Sequence, residues 1–206
     1  MRKKALILDL DNTIFPVYSI GDSLFAPLFD LLKSDEKASA HFDEIRKQVM
    51  RRPFQLVAKD FHFSKELTDK AIEILKGLAY NGKIVPFPDY RYVKELRIDK
   101  FLVTTGFKKM QQSKVDAMHL QPDFKEIHII DPVTTDKVKR DVFVEIIERY
   151  HYSKSEVIVV GDDLNSEIKA AKELGIDAVL YDKLEAYKDE KSVLKITDFA
   201  DLLSYL

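Results

Sequence analysis

The chain has 206 residues, 46% of them hydrophobic and 33% charged, with 33 basic against 35 acidic side chains. That length supports one substantial core with room for a small insert, and the balance is ordinary for a globular protein. A net charge of -2 leaves no basic surplus for nucleic acid, and the lack of cysteine excludes disulfides, thiolate metal sites and a cysteine nucleophile.

The first run, MRKKALILDLDNT, joins basic residues to a short apolar stretch, but Asp9 and Asp11 interrupt it too early for a signal peptide. No stretch approaches the about 18 apolar residues of a bilayer span, so a cytoplasmic protein without membrane partners is expected. Residues 5–8 read as a buried parallel strand, followed at once by polar residues. Similar runs recur at 101–103, 127–130, 157–160 and 178–181. Helical patterns lie between them, near 89–97, 107–119, 136–151 and 164–174, the last ending at Gly175. Strands alternating with amphipathic helices predict βαβ crossovers and a parallel sheet covered on both faces: a three-layer, doubly wound α/β core.

Residues 16–86 break the alternation. They carry no strand pattern and read as helices near 21–33, 35–52, 53–61 and 64–80, with Leu67, Ala71, Ile74, Leu75 and Leu78 at helical spacing in the last. Pro86-Phe87-Pro88 marks the return to the alternating pattern. An all-helical cap inserted after the first strand is the simplest organisation, with a core made of 1–15 and 87–206. Residues 183–196 read as a polar connection to a final helix near 198–205.

In such a sheet, ligands bind beyond the carboxyl ends of the strands. The residues found there are Asp9, Asp11 and Thr13 after the first run, and Thr104, Thr105 and Gly106 after the second. Gly161, Asp162 and Asp163 follow the fourth, and Lys137 and Lys139 open the helix that leads into it. Converging carboxylates repel one another and need a hard cation such as Mg2+, which would also bridge to a phosphate oxygen. A carboxylate can attack phosphorus to form an aspartyl-phosphate. A second acid two residues on can protonate the leaving oxygen and then deprotonate water. Lysine and threonine would hold the equatorial oxygens.

Each residue alone has a plainer use. An Asp at a strand end can cap a helix, Thr104 and Thr105 can do the same, and Glu167 can serve a helix dipole. His41, His62, His119, His128 and His151 have no metal-binding spacing. Phe54, Phe61 and Phe63 read as core of the insert, and Arg51 and Arg52 as basic residues at a helix end.

A strand, DLDNT, a helical insert, an apolar run with TTG, a lysine, then GDDLNSEI and AAKELG: together these resemble the motifs of the haloacid dehalogenase superfamily, in order. The resemblance implies a Mg2+-dependent phosphatase acting on a small phosphorylated metabolite. It makes Asp9 the nucleophile and a metal ligand. Asp11 would be the general acid and base, with its backbone carbonyl on the metal. Asp162 would supply the metal's other carboxylate, with Asp163 and Glu167 behind it. Thr104, Thr105 and Gly106 would surround the phosphate, and Lys137 would steady the nucleophile and the transferring group.

Asp11 favours phosphate esters over carbon–halogen cleavage, because a halide needs no proton to leave. Two departures from the family pattern stand out. Glu167 occupies a position where the family usually has Asp, and the third motif reads KVKRDVF without the usual Lys-Pro pair. Phe143 follows Lys137 at the family's common spacing, which favours Lys137 over its rival Lys139. The run GDxLNSxI is similar to that of pyrimidine nucleotidases of the superfamily, while sugar phosphates and phosphoglycolate stay equally open. The alternatives are a phosphomutase on the same core and a non-catalytic phosphometabolite-binding module. The second is disfavoured because Asp9, Asp11 and Asp162 repel one another and have no evident structural use.

Overall fold

The computed structural model describes residues 2–206. Strand β1 (Ala5–Leu8) lies in the middle of a six-stranded parallel sheet with β2 (Asp99–Thr105), β3 (Glu126–Ile130), β4 (Val157–Gly161), β5 (Asp177–Tyr181) and β6 (Leu194–Ile196), in the order β3-β2-β1-β4-β5-β6. Leu8 pairs in register with Leu102 of β2 and Val160 of β4. The chain moves outward from β1 to one edge, then returns to β4 and moves to the other. The direction therefore reverses between β1 and β4, and the crevice between their carboxyl ends is the switch point.

Alternation along the strands divides the core into two layers. Ala5, Ile7, Phe101, Val103 and Val159 face one side, packed by α9 (Lys139–Tyr150) and α10 (Glu167–Leu174). Leu6, Leu8, Leu102, Ile158 and Val160 face the other, with α7 (Tyr90–Glu95), α8 (Lys108–Ala117) and α11 (Phe199–Leu202). A strand buried on both faces must be apolar throughout, which is why β1 and β4 read as continuous apolar runs.

The short β6 lies in the stretch expected to be a polar connection. It is an edge strand of three residues in which only Ile196 is buried, too short and too polar to leave a run. Asp182 holds this excursion down: its Oδ1 accepts from the backbone N–H of Ala186 at 2.7 Å.

Six helices lie between β1 and α7: α1 (Tyr18–Leu24), α2 (Ala26–Ser34), α3 (Glu36–Ala40), α4 (Phe42–Val49), α5 (Phe54–Asp60) and α6 (Lys65–Gly77). The helix expected over 21–33 is two, broken at Phe25 just before Pro27. The one expected over 35–52 is also two, broken at His41, whose φ of -120° leaves the helical range. Ser64 starts α6 as expected of an N-cap, its side chain accepting from Leu67 N–H at 3.1 Å. The insert leaves and returns at one place: Phe87 N–H donates to the Ile14 carbonyl at 2.8 Å. Its apolar side chains, Leu24, Phe54 and Leu75 among them, run on into the layer that holds Leu8, Phe107 and Met110. No helix of the described residues is long and apolar enough to cross a membrane.

Candidate active site

β1 ends at Leu8, and its pairing carries on one residue: Asp9 N–H donates to the Val160 carbonyl at 3.1 Å. Asp9 is thereby fixed at the switch point, with its side chain buried. The chain then turns sharply. Asn12 has a φ of +57°, a left-handed conformation that asparagine tolerates better than most residues. Its Oδ1 accepts from Val17 N–H at 3.1 Å and its Nδ2 donates to the Met50 carbonyl at 3.2 Å, tying the turn to the helical insert. Asp9 and Asp11 both emerge on one cavity of about 120 Å3. Thr104 and Thr105 of β2, Gly106 just after it, Lys139 at the start of α9, and Asp162 and Asp163 after β4 line it too. The insert closes it with Met50, Arg51, Arg52 and Phe54.

Lys139 lies between two carboxylates, its Nζ donating to Asp9 Oδ1 at 2.6 Å and Glu167 Oε2 at 2.7 Å. Glu167 Oε1 accepts from the Asp163 N–H at 2.7 Å, so both oxygens of this buried carboxylate are engaged. Lys137, the lysine favoured by spacing, is placed apart from these groups. It lies outside the cavity, pairs with Glu145 at 2.5 Å and leaves 52% of its side chain exposed, against 7% for Lys139. The reason is where the helix begins. Asp131 accepts from Val133 N–H at 2.9 Å, holding 131–135 as a turn, and α9 starts only at Lys139. Lys137 therefore precedes the first helical turn, and Lys139 faces inward.

Gly106 lines the cavity as well. Its N–H donates to the Ile130 carbonyl at 3.0 Å. A side chain there would lie 2.9 Å from Gln111 Cδ, so glycine gives Gln111 its room. Gly161 has the same relation to Glu167: a Cβ at 161 would overlap the Glu167 carboxyl. Gly161→Ala is expected to displace Glu167 and draw Lys139 away from Asp9, reducing turnover by about 10-fold or more and stability by about 1–3 kcal/mol. Wild-type turnover and melting temperature in that variant would show that the close approach is unimportant.

Burial pushes the Asp9 carboxyl up to about 7, helped by Glu167 and Asp11 and opposed by Lys139. Asp162 is raised well above the usual range by burial, then by Glu167 and Asp9. Asp163 is raised chiefly by burial, partly offset by the Asn165 N–H it accepts. Burial acts to lower Lys139, but Asp9 and Glu167 more than offset it and hold the ammonium above its ordinary value. One lysine thus stands among more acids than it can neutralise. Asp9, Asp162 and Glu167 each bring an oxygen within 4.8 Å of the others, an all-oxygen set that fits a hard divalent cation.

Two polar residues in the site escaped the sequence reading. Gln111 Nε2 donates to Asp11 Oδ2 at 2.9 Å and to Thr104 Oγ1 at 2.6 Å. Lys114 Nζ donates to both Asp11 oxygens, at 2.8 and 2.9 Å, and to Gln111 Oε1 at 2.7 Å. The available signal was a glutamine and a lysine on the same face of α8 as Met110 and Val115. Phe54, Phe61 and Phe63 do pack together as expected, with centroids 6.0 and 6.4 Å apart, though Phe54 also lines the cavity. Arg51 lies over the Tyr187 ring, 5.9 Å from its centroid. The excursion between β5 and β6 thus reaches the rim of the site.

Residues 3–175 match the family of haloacid dehalogenase-like hydrolases. The chain belongs to that family. It is 22% identical over 195 residues to the glyceraldehyde 3-phosphate phosphatase of Methanopyrus kandleri, covering 85% of this chain and 82% of that one. It is 24% identical over 111 residues to the pyrimidine 5'-nucleotidase PynA of Streptococcus pneumoniae, covering 52% and 47%. The magnesium-bound crystal structure of the HAD-hydrolase YfnB of Bacillus subtilis superposes with a TM-score of 0.67 at 19% identity, covering 100% of this chain and 99% of that one. The parallel α/β sheet described above is the fold these haloacid dehalogenase-like hydrolases share.

Proposed function

We propose that this hydrolase is a Mg2+-dependent phosphatase that cleaves a small phosphomonoester through an aspartyl-phosphate on Asp9. The observation that carries the reading is the pairing of Asp9 and Asp11 on one small cavity, the first held by Lys139 and the second by separate partners. Two acids on one short turn, each with its own partner, suit two different tasks. Asp9, buried and fixed by its backbone, is placed to attack phosphorus. Asp11, partly exposed, is placed to protonate the leaving oxygen and afterwards to take a proton from water.

Lys139 would steady Asp9 and the equatorial oxygens of the transferring group, and Thr104 would donate its hydroxyl to one of them. Asp9, Asp162 and the Asp11 carbonyl would hold Mg2+. The ion would offset the repulsion between an anionic nucleophile and an anionic substrate. Glu167 and Asp163 would act behind them, Glu167 by orienting Lys139. Residues 16–86 would form a cap over the site, hinged where Ile14 and Phe87 meet, and its movement would admit substrate and exclude water.

The test is release of inorganic phosphate from a panel of phosphomonoesters, with and without Mg2+. The names of the relatives suggest that the panel include triose phosphates and pyrimidine nucleoside monophosphates. Metal-dependent release is expected. A folded, metal-bound protein that releases phosphate from no ester would overturn the reading and favour a mutase or a binding protein.

The acidity of the site adds a second expectation. A carboxyl raised from 3.8 to about 7 contributes stability that is fully present below 3.8 and is lost as pH rises through 7. The metal-free protein should therefore melt at a lower temperature at pH 8 than at pH 6. Mg2+ competes with that proton, so its apparent affinity should rise about tenfold over the same interval, adding about 4 °C to the Mg2+-induced shift in melting temperature. Thermal melts at both pH values, repeated in Asp9→Asn, check this. An equal Mg2+ shift at the two pH values would mean that Asp9 gives up no proton to the ion in this interval, and an unchanged Mg2+ shift in Asp9→Asn would exclude it as a ligand.

A further inference from the structure

We infer that Lys114 and Gln111 are positioning residues for the reaction, acting as one unit that fixes the Asp11 carboxyl and aims the Thr104 hydroxyl. The inference rests on the acid–base reading of Asp11 given above. Both residues project from the buried face of α8, and Lys114 leaves only 2% of its side chain exposed. Burying an ammonium in a helix face that could hold leucine or methionine is costly unless the charge is used.

The chemistry of the groups leaves a single arrangement. An ammonium only donates, so the Gln111 atom 2.7 Å from Lys114 Nζ must be the amide oxygen. That fixes the amide orientation and directs its NH2 at the other two neighbours. One N–H goes to Asp11 Oδ2 and the other to Thr104 Oγ1. Thr104 Oγ1 is therefore an acceptor from Gln111, and its own hydrogen is left to be donated elsewhere. Thr104 lines the cavity, where a phosphate oxygen would receive that hydrogen. Asp11 meanwhile has Lys114 on both oxygens and Gln111 on one, so its carboxyl is held in one plane and one place. Lys114 thus sets the proton-transfer group directly and the phosphate donor through Gln111. Gly106 belongs to the same device, since any side chain there would press on the amide.

A purely structural role would lower activity toward all substrates alike. A role in proton transfer depends on the leaving group, because an alkoxide needs a proton to depart and p-nitrophenolate does not. The experiment therefore compares kcat/KM, which reports the steps up to departure of the leaving group, for p-nitrophenyl phosphate and for the alkyl phosphate that the wild type hydrolyses fastest. The proteins are wild type, Asp11→Asn, Lys114→Met and Gln111→Leu. Asp11→Asn and Lys114→Met are both expected to lose about 100-fold on the alkyl ester and no more than about 3-fold on the aryl ester. Gln111→Leu keeps the charge pair intact but frees the Thr104 hydroxyl, so it should combine a weaker selective loss with a loss of a few-fold shared by both esters. Because the two residues act as a unit, the double variant should lose about as much as Lys114→Met alone.

Retained aryl-ester hydrolysis is itself the control for folding. If Lys114→Met fails to fold, the Gln111→Leu comparison decides. A loss no larger on the alkyl than on the aryl ester, in variants whose Asp11→Asn counterpart shows the selective loss, would overturn the hold on Asp11 while leaving Asp11 its part, and an unchanged aryl-ester rate in Gln111→Leu would overturn the aiming of Thr104. Absence of selectivity in Asp11→Asn itself would overturn the acid–base reading, and this inference with it.

Discussion

Asp9→Asn is expected to reduce phosphate release by at least about 10,000-fold while leaving the protein folded. An amide oxygen is a poor nucleophile toward phosphorus, and asparagine would bring no negative charge to the cation proposed to lie between it and Asp162. The substitution keeps the shape of the side chain, and its oxygen can still accept from Lys139 Nζ, now 2.6 Å from Asp9 Oδ1. It also removes a carboxyl that burial makes reluctant to ionise. The metal-free variant should thus melt at or above the wild-type temperature at pH 8, which separates lost chemistry from lost structure. Phosphate assays beside thermal melts provide the check. Turnover above about 1% of wild type would mean that water, and not Asp9, attacks phosphorus, and the aspartyl-phosphate would have to be abandoned.

The second large effect concerns two lysines that lie two positions apart and are of one chemical type. Lys139→Met should lower kcat by about 1,000-fold, and Lys137→Met should leave it within about twofold. Lys139 holds Asp9 and Glu167 together, and without it their charges face each other in a buried place. Removing one partner of a buried pair costs about 3 kcal/mol or more, so Lys139→Met should also melt lower unless the medium is acidic enough to protonate one carboxyl. Lys137 pairs only with Glu145 at an exposed site, an interaction that contributes little to stability. Melting and kinetics of the two variants side by side give the answer. Loss of activity in Lys137→Met with Lys139→Met unaffected would return the role to the lysine that the family's spacing favours.

The same pair shows where reading the chain was enough and where it was not. β1, β4 and the polar residues after them were legible because a strand buried on both faces must be apolar from end to end, and the switch point follows from chain order. Chain order and strand pattern therefore place Asp9, Asp11, Thr104 and Asp162 on one edge of the sheet. The break at Phe25 had a local signal in Pro27 that the continuous apolar pattern masked, whereas the break at His41 had none. Nor was β6 legible, since its pairing with β5 comes from backbone hydrogen bonds that any side chains of suitable size can accompany.

Within the site, residue type and order along the chain were sufficient for the parallel α/β core, its helical insert and the carboxylates at the switch point, since these follow from hydrophobic period and strand succession. Side-chain direction was beyond their reach. Whether α9 begins at residue 137 or 139 depends on the turn that Asp131 holds, and a shift of two residues turns a lysine from solvent to Asp9. The partners of Asp11 lie 100 and 103 positions away on a helix whose polar residues look like ordinary surface until it is docked. Local pattern records which face of a helix is apolar. Only the packed fold decides what a polar group on that face will meet.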